Sequence, residues 1–174
     1  MLPDLTLIIG GAASGKSNFA EGLVNVCGKS KIYLATAQAH DSEMTAKINR
    51  HQKSRGDGWH TVEAPLDLTH ALDVVSASDV VLLDCATLWL SNHLLAETDL
   101  QAAQGSLLQS LTTCKAPVVV VTNEVGAGIV PENALARKFR EAQGRLNQRL
   151  ASHADLAVTV IAGLPLVLKG TLPT

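Results

Sequence analysis

Leu5-Thr6-Leu7-Ile8-Ile9-Gly10-Gly11-Ala12-Ala13-Ser14-Gly15-Lys16-Ser17 joins an apolar run directly to a complete G-x-x-x-x-G-K-[ST] phosphate loop. Glycines let the backbone curl so that successive N–H groups point at a phosphate. Lys16 reaches the β- and γ-phosphates as a point charge, and the Ser17 hydroxyl is placed to sit on Mg²⁺. A helix that begins near Lys16 adds the positive end of its dipole. The residues after it (Phe19, Ala20, Leu23, Val24) keep the spacing of an amphipathic helix.

Working outward, short apolar runs alternate with helix-period segments. Strands are predicted over 5–10, 31–36, 60–63, 80–84, 118–123 and 156–161, and helices over 16–26, 41–54, 67–77, 87–113 (with a break) and 133–152. Continuous β-branched runs such as Val118-Val119-Val120-Val121 suit strands buried on both faces of a mostly parallel sheet flanked by helices, which sets the class as α/β. Neither a low-complexity linker nor an internal repeat interrupts the 174 residues, so one domain over 1–174 is expected. The stretch 51–59, rich in Lys, Arg and Gly, reads as mobile surface.

Composition excludes several classes of partner. The formal charge is −2, so no net basic field attracts nucleic acid or anionic lipid. Aromatic residues make up only 3% of the chain, which leaves no stacking platform for bases. Cys27, Cys85 and Cys114 are odd in number and read as reduced thiols of a cytosolic protein. The first residues carry no charged n-region, so no signal peptide is expected, and no apolar run is long enough for a membrane span.

Three further places carry chemistry. The run Val80-Val81-Leu82-Leu83-Asp84 ends a strand in an acid, where a carboxylate holds the Mg²⁺ shell opposite Ser17 or else caps the next helix. Another strand ends in Thr122-Asn123-Glu124-Val125-Gly126-Ala127-Gly128, whose Asn123 and Glu124 either orient substrate or metal or only organise the loop. In Lys47-Ile48-Asn49-Arg50-His51-Gln52-Lys53-Ser54-Arg55, a helix would bring Lys47, His51 and Arg55 onto one face. Two flanking cations keep an imidazole neutral and nucleophilic and attract a triphosphate; from spacing alone, a solvated basic helix with an incidental His is the plainer reading. His40, His60, His70, His93 and His153 lack metal-ligand spacing and read as surface or core histidines.

Longer stretches decide between these readings. Gly10-Gly11-Ala12-x-Ser14-Gly15-Lys16-Ser17, Tyr33-Leu34-Ala35-Thr36-Ala37, Arg50-His51-x-x-x-Arg55, Trp59-x-x-x-Glu63 and Leu83-Asp84-Cys85-x-Thr87-Leu88-Trp89-x-Ser91-Asn92 follow one another in order. After them come Thr122-Asn123-Glu124-Val125-Gly126-x-Gly128-Ile129-Val130-Pro131-Glu132-Asn133 and Phe139-Arg140-x-x-x-Gly144-Arg145-x-Asn147-Gln148. Together these motifs resemble the bifunctional adenosylcobinamide kinase / adenosylcobinamide-phosphate guanylyltransferase family over nearly the whole chain. The segment from Thr122 to Asn133 carries most of the specificity. Ala13 departs from the pattern, which has Arg there in most members.

The resemblance implies a RecA-like phosphate-loop sheet, a homotrimer and a two-step cytoplasmic enzyme of cobalamin biosynthesis. ATP or GTP first phosphorylates the aminopropanol hydroxyl of adenosylcobinamide. GTP then guanylylates adenosylcobinamide-phosphate through a GMP-histidine intermediate, giving adenosylcobinamide-GDP and pyrophosphate. The guanylylated histidine falls on His51. Nucleotide contacts fall on Gly10, Gly11, Ala12, Ala13, Ser14, Gly15, Lys16, Ser17, Ala35, Thr36, Ala37, His51, Gln52, Lys53, Ser54, Glu63 and Asp84, with Lys16 catalytic and Mg²⁺ on Ser17 and Asp84. Two competitors differ in what they require. A plain small-molecule kinase leaves His51 inert, and a GTPase switch needs an Asn-Lys-x-Asp element where this chain has Asn123-Glu124-Val125-Gly126.

Overall fold

The apolar runs that carry the phosphate loop and Asp84 lie in the middle of one sheet. A computed structural model describes residues 1–38, 46 and 55–173. Its elements follow in the order β1 (Leu5–Gly10), α1 (Lys16–Asn25), β2 (Ser30–Ala35), β3 (Trp59–Glu63), α2 (Leu68–Asp73) and β4 (Asp79–Asp84). Then come α3 (Ala86–Leu95), α4 (Leu100–Thr113), β5 (Val118–Asn123), α5 (Ala134–His153), β6 (Leu156–Ile161) and β7 (Leu164–Lys169). The seven strands are arranged β3-β2-β4-β5-β1-β6-β7, parallel throughout except for β7, which runs antiparallel to β6.

Each central strand serves two cores at once, which is why its sequence is apolar without alternation. Val118 and Val120 of β5 face one cluster, with Leu68, Leu72, Trp89, Leu90, Leu107, Leu146 and Leu150 from the helices. Val119 and Val121 face the other, with Ala20 and Val24 of α1. Val80 and Leu82 of β4 alternate with Val81 and Leu83 in the same way, and all four are fully buried. At roughly 1.5–3 kcal/mol for each large side chain withdrawn from water, these two strands anchor the sheet.

The segment predicted as a broken helix over 87–113 is two helices, and local chemistry sets the break. Glu97 turns the chain with a φ of 54°, and the Asp99 carboxylate then accepts from the N–H groups of Gln101 and Ala102 at the start of α4. Asn133 caps α5 likewise, accepting from Leu135 and Ala136.

Two expectations change. Strand β7 was not predicted: it follows β6 through a two-residue turn at Ala162 and Gly163, both with positive φ, the geometry hairpins favour. The stretch 51–59, expected as mobile surface, is not surface at Arg55, which is buried, or at Trp59, which opens β3 and meets the Tyr33 ring edge-on at 6.2 Å. Residues 51–54 and most of the helix predicted over 41–54 lie outside the described residues.

Candidate active site

The phosphate loop is held in shape from three sides. Ser14 N–H donates to the Gly11 carbonyl at 3.3 Å, and the Lys16 ammonium donates to the same carbonyl at 3.1 Å. Gly163 N–H, in the β6–β7 turn, donates to the Ser14 carbonyl at 2.8 Å. Gly15 passes the chain into α1 with a φ of 92°, and a Cβ there would lie 3.0 Å from the Gly163 Cα, so only glycine fits both the dihedral and the space. A Cβ on Gly10 would lie 2.8 Å from the Val160 carbonyl oxygen. Gly11, Ala12 and Ala13 form the open bend, Ala13 with a φ of 55°. The Ser14 hydroxyl is buried without a hydrogen-bond partner at the floor of this loop.

The other residues expected to meet the nucleotide fall in a row. Parallel register aligns Glu63 of β3 with Ala35 of β2, and Ala35 with Asp84 of β4, all at the carboxyl edge where the loop after β1 also opens. Strand β5 separates β4 from β1, which puts Asp84 about 10 Å across the edge from the loop, two strand spacings away. Thr36 follows Ala35 but is fully committed to structure. Its hydroxyl donates to the Cys85 carbonyl and accepts from Cys85 N–H, both at 2.8 Å, and Asn92 Nδ2 donates to its carbonyl at 2.9 Å. Ala37 lies in the loop beyond.

Asp84 does not cap the next helix: the residue at the cap of α3 is Cys85, whose side chain makes no capping bond. Instead Asp84 Oδ2 accepts from the Tyr33 hydroxyl at 3.2 Å. Burial first, and then the charge of Asp84, push the Tyr33 phenol far above its ordinary range, so it remains a donor. Burial also dominates at Cys85, whose thiol is pushed up to about 11, with Asp84 adding to the shift. The Leu88 and Thr87 N–H groups and the Lys16 charge act the other way. A hydroxyl on Ser17 and a carboxylate on Asp84 are hard oxygen donors suited to Mg²⁺, which keeps waters and phosphate oxygens as its other ligands. Among the described residues no group of three His, Cys, Asp or Glu forms a metal-binding cluster.

On the other side of β1 and β5, a buried polar network fixes the end of β5. Thr122 Oγ1 donates to Asn147 Oδ1 at 2.7 Å, and Gln143 Nε2 donates to the same oxygen at 2.8 Å. Asn147 Nδ2 in turn donates to the Asn123 carbonyl at 3.0 Å, and Asn123 N–H donates to Thr87 Oγ1 at 2.7 Å. The Glu124 carboxylate accepts from Gly126 N–H, so it organises its own loop. The Asn123 Oδ1 is buried without a partner, one residue beside Gly10 in register.

His51, Gln52, Lys53 and Ser54 lie outside the described residues. Three contributors to this edge were not singled out from sequence: Tyr33, Glu21 and the turn at Gly163. Glu21 carried a readable signal, since it follows Ser17 by four positions on α1 and shares its face. Turn residues near 163 gave a two-residue hairpin spacing, which the Pro165 in the following run obscured.

The chain has relatives among known proteins. A family model described as cobinamide kinase / cobinamide phosphate guanyltransferase matches residues 6–168. The bifunctional adenosylcobalamin biosynthesis protein CobP of Pseudomonas aeruginosa is 40% identical over 167 residues, covering 94% of this chain and 96% of that protein. The bifunctional adenosylcobalamin biosynthesis protein CobU of Escherichia coli is 39% identical over 181 residues, covering 95% and 99%. Among solved structures, the RadB recombinase superposes with a TM-score of 0.54 at 19% identity, over 91% of this chain and 74% of that one. A prototypical ATPase of a type III secretion system gives 0.57 at 12% identity, over 95% and 57%. These likenesses show a phosphate-loop NTPase fold and nothing finer. With a family match across nearly its whole length and relatives near 40% identity, the chain belongs to the cobinamide kinase / cobinamide phosphate guanyltransferase family, a family of transferases.

Proposed function

We propose that residues 1–174 form one catalytic domain that phosphorylates adenosylcobinamide with ATP or GTP and then converts adenosylcobinamide-phosphate to adenosylcobinamide-GDP. The observation that carries this reading is the opening of the phosphate loop, Gly10 to Ser17, onto the same sheet edge as the aligned Glu63, Ala35 and Asp84. One edge thus offers a cradle for the phosphates and a row of residues for the rest of the nucleotide.

In the first reaction the acceptor hydroxyl attacks the γ-phosphorus, the nucleoside diphosphate leaves, and the hydroxyl proton passes to solvent. Lys16 holds positive charge at the transferring group, and the loop N–H groups orient it. Mg²⁺, when held by Ser17 and Asp84, neutralises phosphate charge. In the second reaction a neutral ring nitrogen of His51 attacks the α-phosphorus of GTP, and pyrophosphate leaves. A phosphate oxygen of adenosylcobinamide-phosphate then attacks the same phosphorus and displaces the histidine. Gln52, Lys53, Ser54, Thr36 and Ala37 complete the nucleotide contacts, with Thr36 acting through the shape it gives its loop.

A homotrimer in the cytoplasm is part of the same reading. Support comes from β7, whose six residues are all exposed and include Leu164, Leu166 and Leu168, an apolar edge fit for another copy. The three free cysteines accord with a reducing compartment, and among the described residues no helix is long and apolar enough to cross a membrane.

Incubation with GTP labelled separately at the α- and γ-phosphates tests the assignment. Protein-bound label from the α-position alone, labile in acid and stable in base, is the expected result, with γ-label appearing in adenosylcobinamide-phosphate. Transfer of γ-label without any protein adduct would reduce the chain to a plain small-molecule kinase.

A further inference from the structure

Asn123 ends β5, and its carboxamide oxygen Oδ1 is buried without a hydrogen-bond partner. The backbone around it is fully engaged. Its N–H donates to Thr87 Oγ1 at 2.7 Å, its carbonyl accepts from Asn147 Nδ2 at 3.0 Å, and the next N–H, of Glu124, donates to the Gly10 carbonyl at 3.1 Å. A side chain carried on so fixed a backbone is aimed rather than loose.

Alternation along the strands gives the direction. Val119 and Val121 pack toward α1, while Thr122 joins the polar network on the opposite face, so the Asn123 carboxamide lies on the α1 face. Leu82 packs toward α1 and Leu83 away from it, which puts the Asp84 carboxylate on that same face, beside Tyr33. Asp84 pairs in register with Val121, two residues before Asn123, and Gly10 pairs with Asn123 itself. Asn123 thus lies between the strand of Asp84 and the phosphate loop, its Cα about 5 Å from that of Gly10 and about 8 Å from that of Asp84. The place that a Gly10 side chain would fill is taken by the Ser14 hydroxyl, another buried oxygen without a partner.

The chemistry of Oδ1 limits what can satisfy it. A buried carbonyl oxygen left unpaired costs stability, and folded proteins keep few of them. Oδ1 can only accept, so a phosphate oxygen cannot answer it, whereas the Ser14 hydroxyl can donate to one. It is also closed to bulk solvent, which suits an ion or a single water better than the reacting end of a large acceptor. A hard divalent cation, or a water bound to one, supplies what an oxygen acceptor lacks.

We propose that Asn123 is a third protein oxygen of the Mg²⁺ site, meeting the ion or one of its waters through Oδ1. The proposal rests on the reading of Ser17 and Asp84 as the residues that hold Mg²⁺. An oxygen left unpaired in the free protein is then kept for the loaded one, so its removal has opposite effects on the two: binding suffers and the fold does not.

The test uses the full chain with a non-hydrolysable GTP analogue and Mn²⁺ in place of Mg²⁺, free Mn²⁺ being read by electron paramagnetic resonance. Asn123→Leu, close in shape but without the oxygen, is expected to weaken Mn²⁺ binding about tenfold. The same variant without metal or nucleotide should melt no lower than the native chain, because the oxygen it removes had no partner to lose. Asn123→Asp keeps an acceptor in place and should retain Mn²⁺ binding. Unchanged binding in Asn123→Leu would overturn the proposal. Binding lost as severely in Asn123→Asp as in Asn123→Leu would overturn it too, since the carboxamide would then be a donor to phosphate. Where Asn123→Leu melts low or does not fold, Asn123→Asp is compared with Asn123→Ala: Mn²⁺ affinity about tenfold higher in Asn123→Asp upholds the proposal, and equal affinity overturns it. Ser17→Ala and Asp84→Asn separate the two readings. Weaker Mn²⁺ binding in them with native binding in Asn123→Leu would overturn the role of Asn123 and leave the metal site standing, and native binding in all three would overturn both.

Discussion

Tyr33 holds Asp84 by a single hydrogen bond, its hydroxyl 3.2 Å from Oδ2, across the boundary between neighbouring strands β2 and β4. In the proposed Mg²⁺ site Asp84 supplies a carboxylate, and this bond would set which way its oxygens face. Removing it by Tyr33→Phe should raise the Mg²⁺ concentration for half-maximal phosphoryl transfer by roughly tenfold, the usual scale for a residue that orients a metal ligand. Asp84→Asn should raise it further, because a neutral amide is a poorer partner for a hard cation. Titration of rate against Mg²⁺ for the two variants checks both, and unchanged curves would remove Asp84 from the metal shell.

Gly15→Ala should damage the loop and the hairpin together. A side chain at a φ of 92° is strained, and the added Cβ meets the Gly163 Cα at 3.0 Å. The backbone strain alone costs on the order of 1–2 kcal/mol. Chemical denaturation should show at least that loss, accompanied by a higher KM for nucleotide.

Alkaline pH should loosen the fold around Cys85 and Tyr33. Both groups have folded pKa values raised above their unfolded ones, Cys85 to about 11. Their contribution is thus complete below the unfolded values, near 9 for a thiol and 10 for a phenol, and is lost as pH climbs through the folded values. For Cys85 the loss is on the order of 2–3 kcal/mol by pH 11. Urea midpoints measured from pH 8 to pH 11 should fall steadily, and the Cys85 thiol should resist alkylation at pH 8.

Asn147→Ala removes the acceptor shared by Thr122 and Gln143 and the donor to the Asn123 carbonyl. Buried donors left without partners cost about 1–3 kcal/mol each. A drop of about 2–4 kcal/mol in unfolding free energy is expected. Phosphoryl transfer should also slow, since Asn123 lies beside Gly10 at the sheet edge.

Most of the sheet was legible because its strands obey one rule. A run such as Val118 to Val121 is apolar at every position only when both faces are covered, and both are. The phosphate loop was legible because cradling phosphate leaves few choices of residue. What escaped were features made by distant contacts. Strand β7 exposes its apolar side chains and carries Pro165, so no burial pattern marked it. Arg55 read either as a cation beside His51 or as part of a solvated basic helix, and neither reading showed that it is buried against the ring of Tyr33, 22 positions earlier. Thr36 matched a nucleotide motif, while its bonds to Cys85 tie it to a strand end 49 residues away.

The bond between Gly163 and Ser14 also bears on how the chain matures during synthesis. Strand β1 is made almost first, yet its neighbours are β5 and β6, and Leu5 N–H finds its acceptor on Asp155, 150 residues later. At about 5–20 residues per second, the ribosome needs roughly ten to thirty seconds to deliver that partner. Until β5 has emerged, past residue 123, the apolar strand β1 has no strand to pair against, and its loop lacks the Gly163 contact to the end of the interval. The nucleotide cradle is therefore among the last parts of the molecule to take shape, though it is encoded among the first, and nascent chains depend on being kept from one another until residue 163 has emerged.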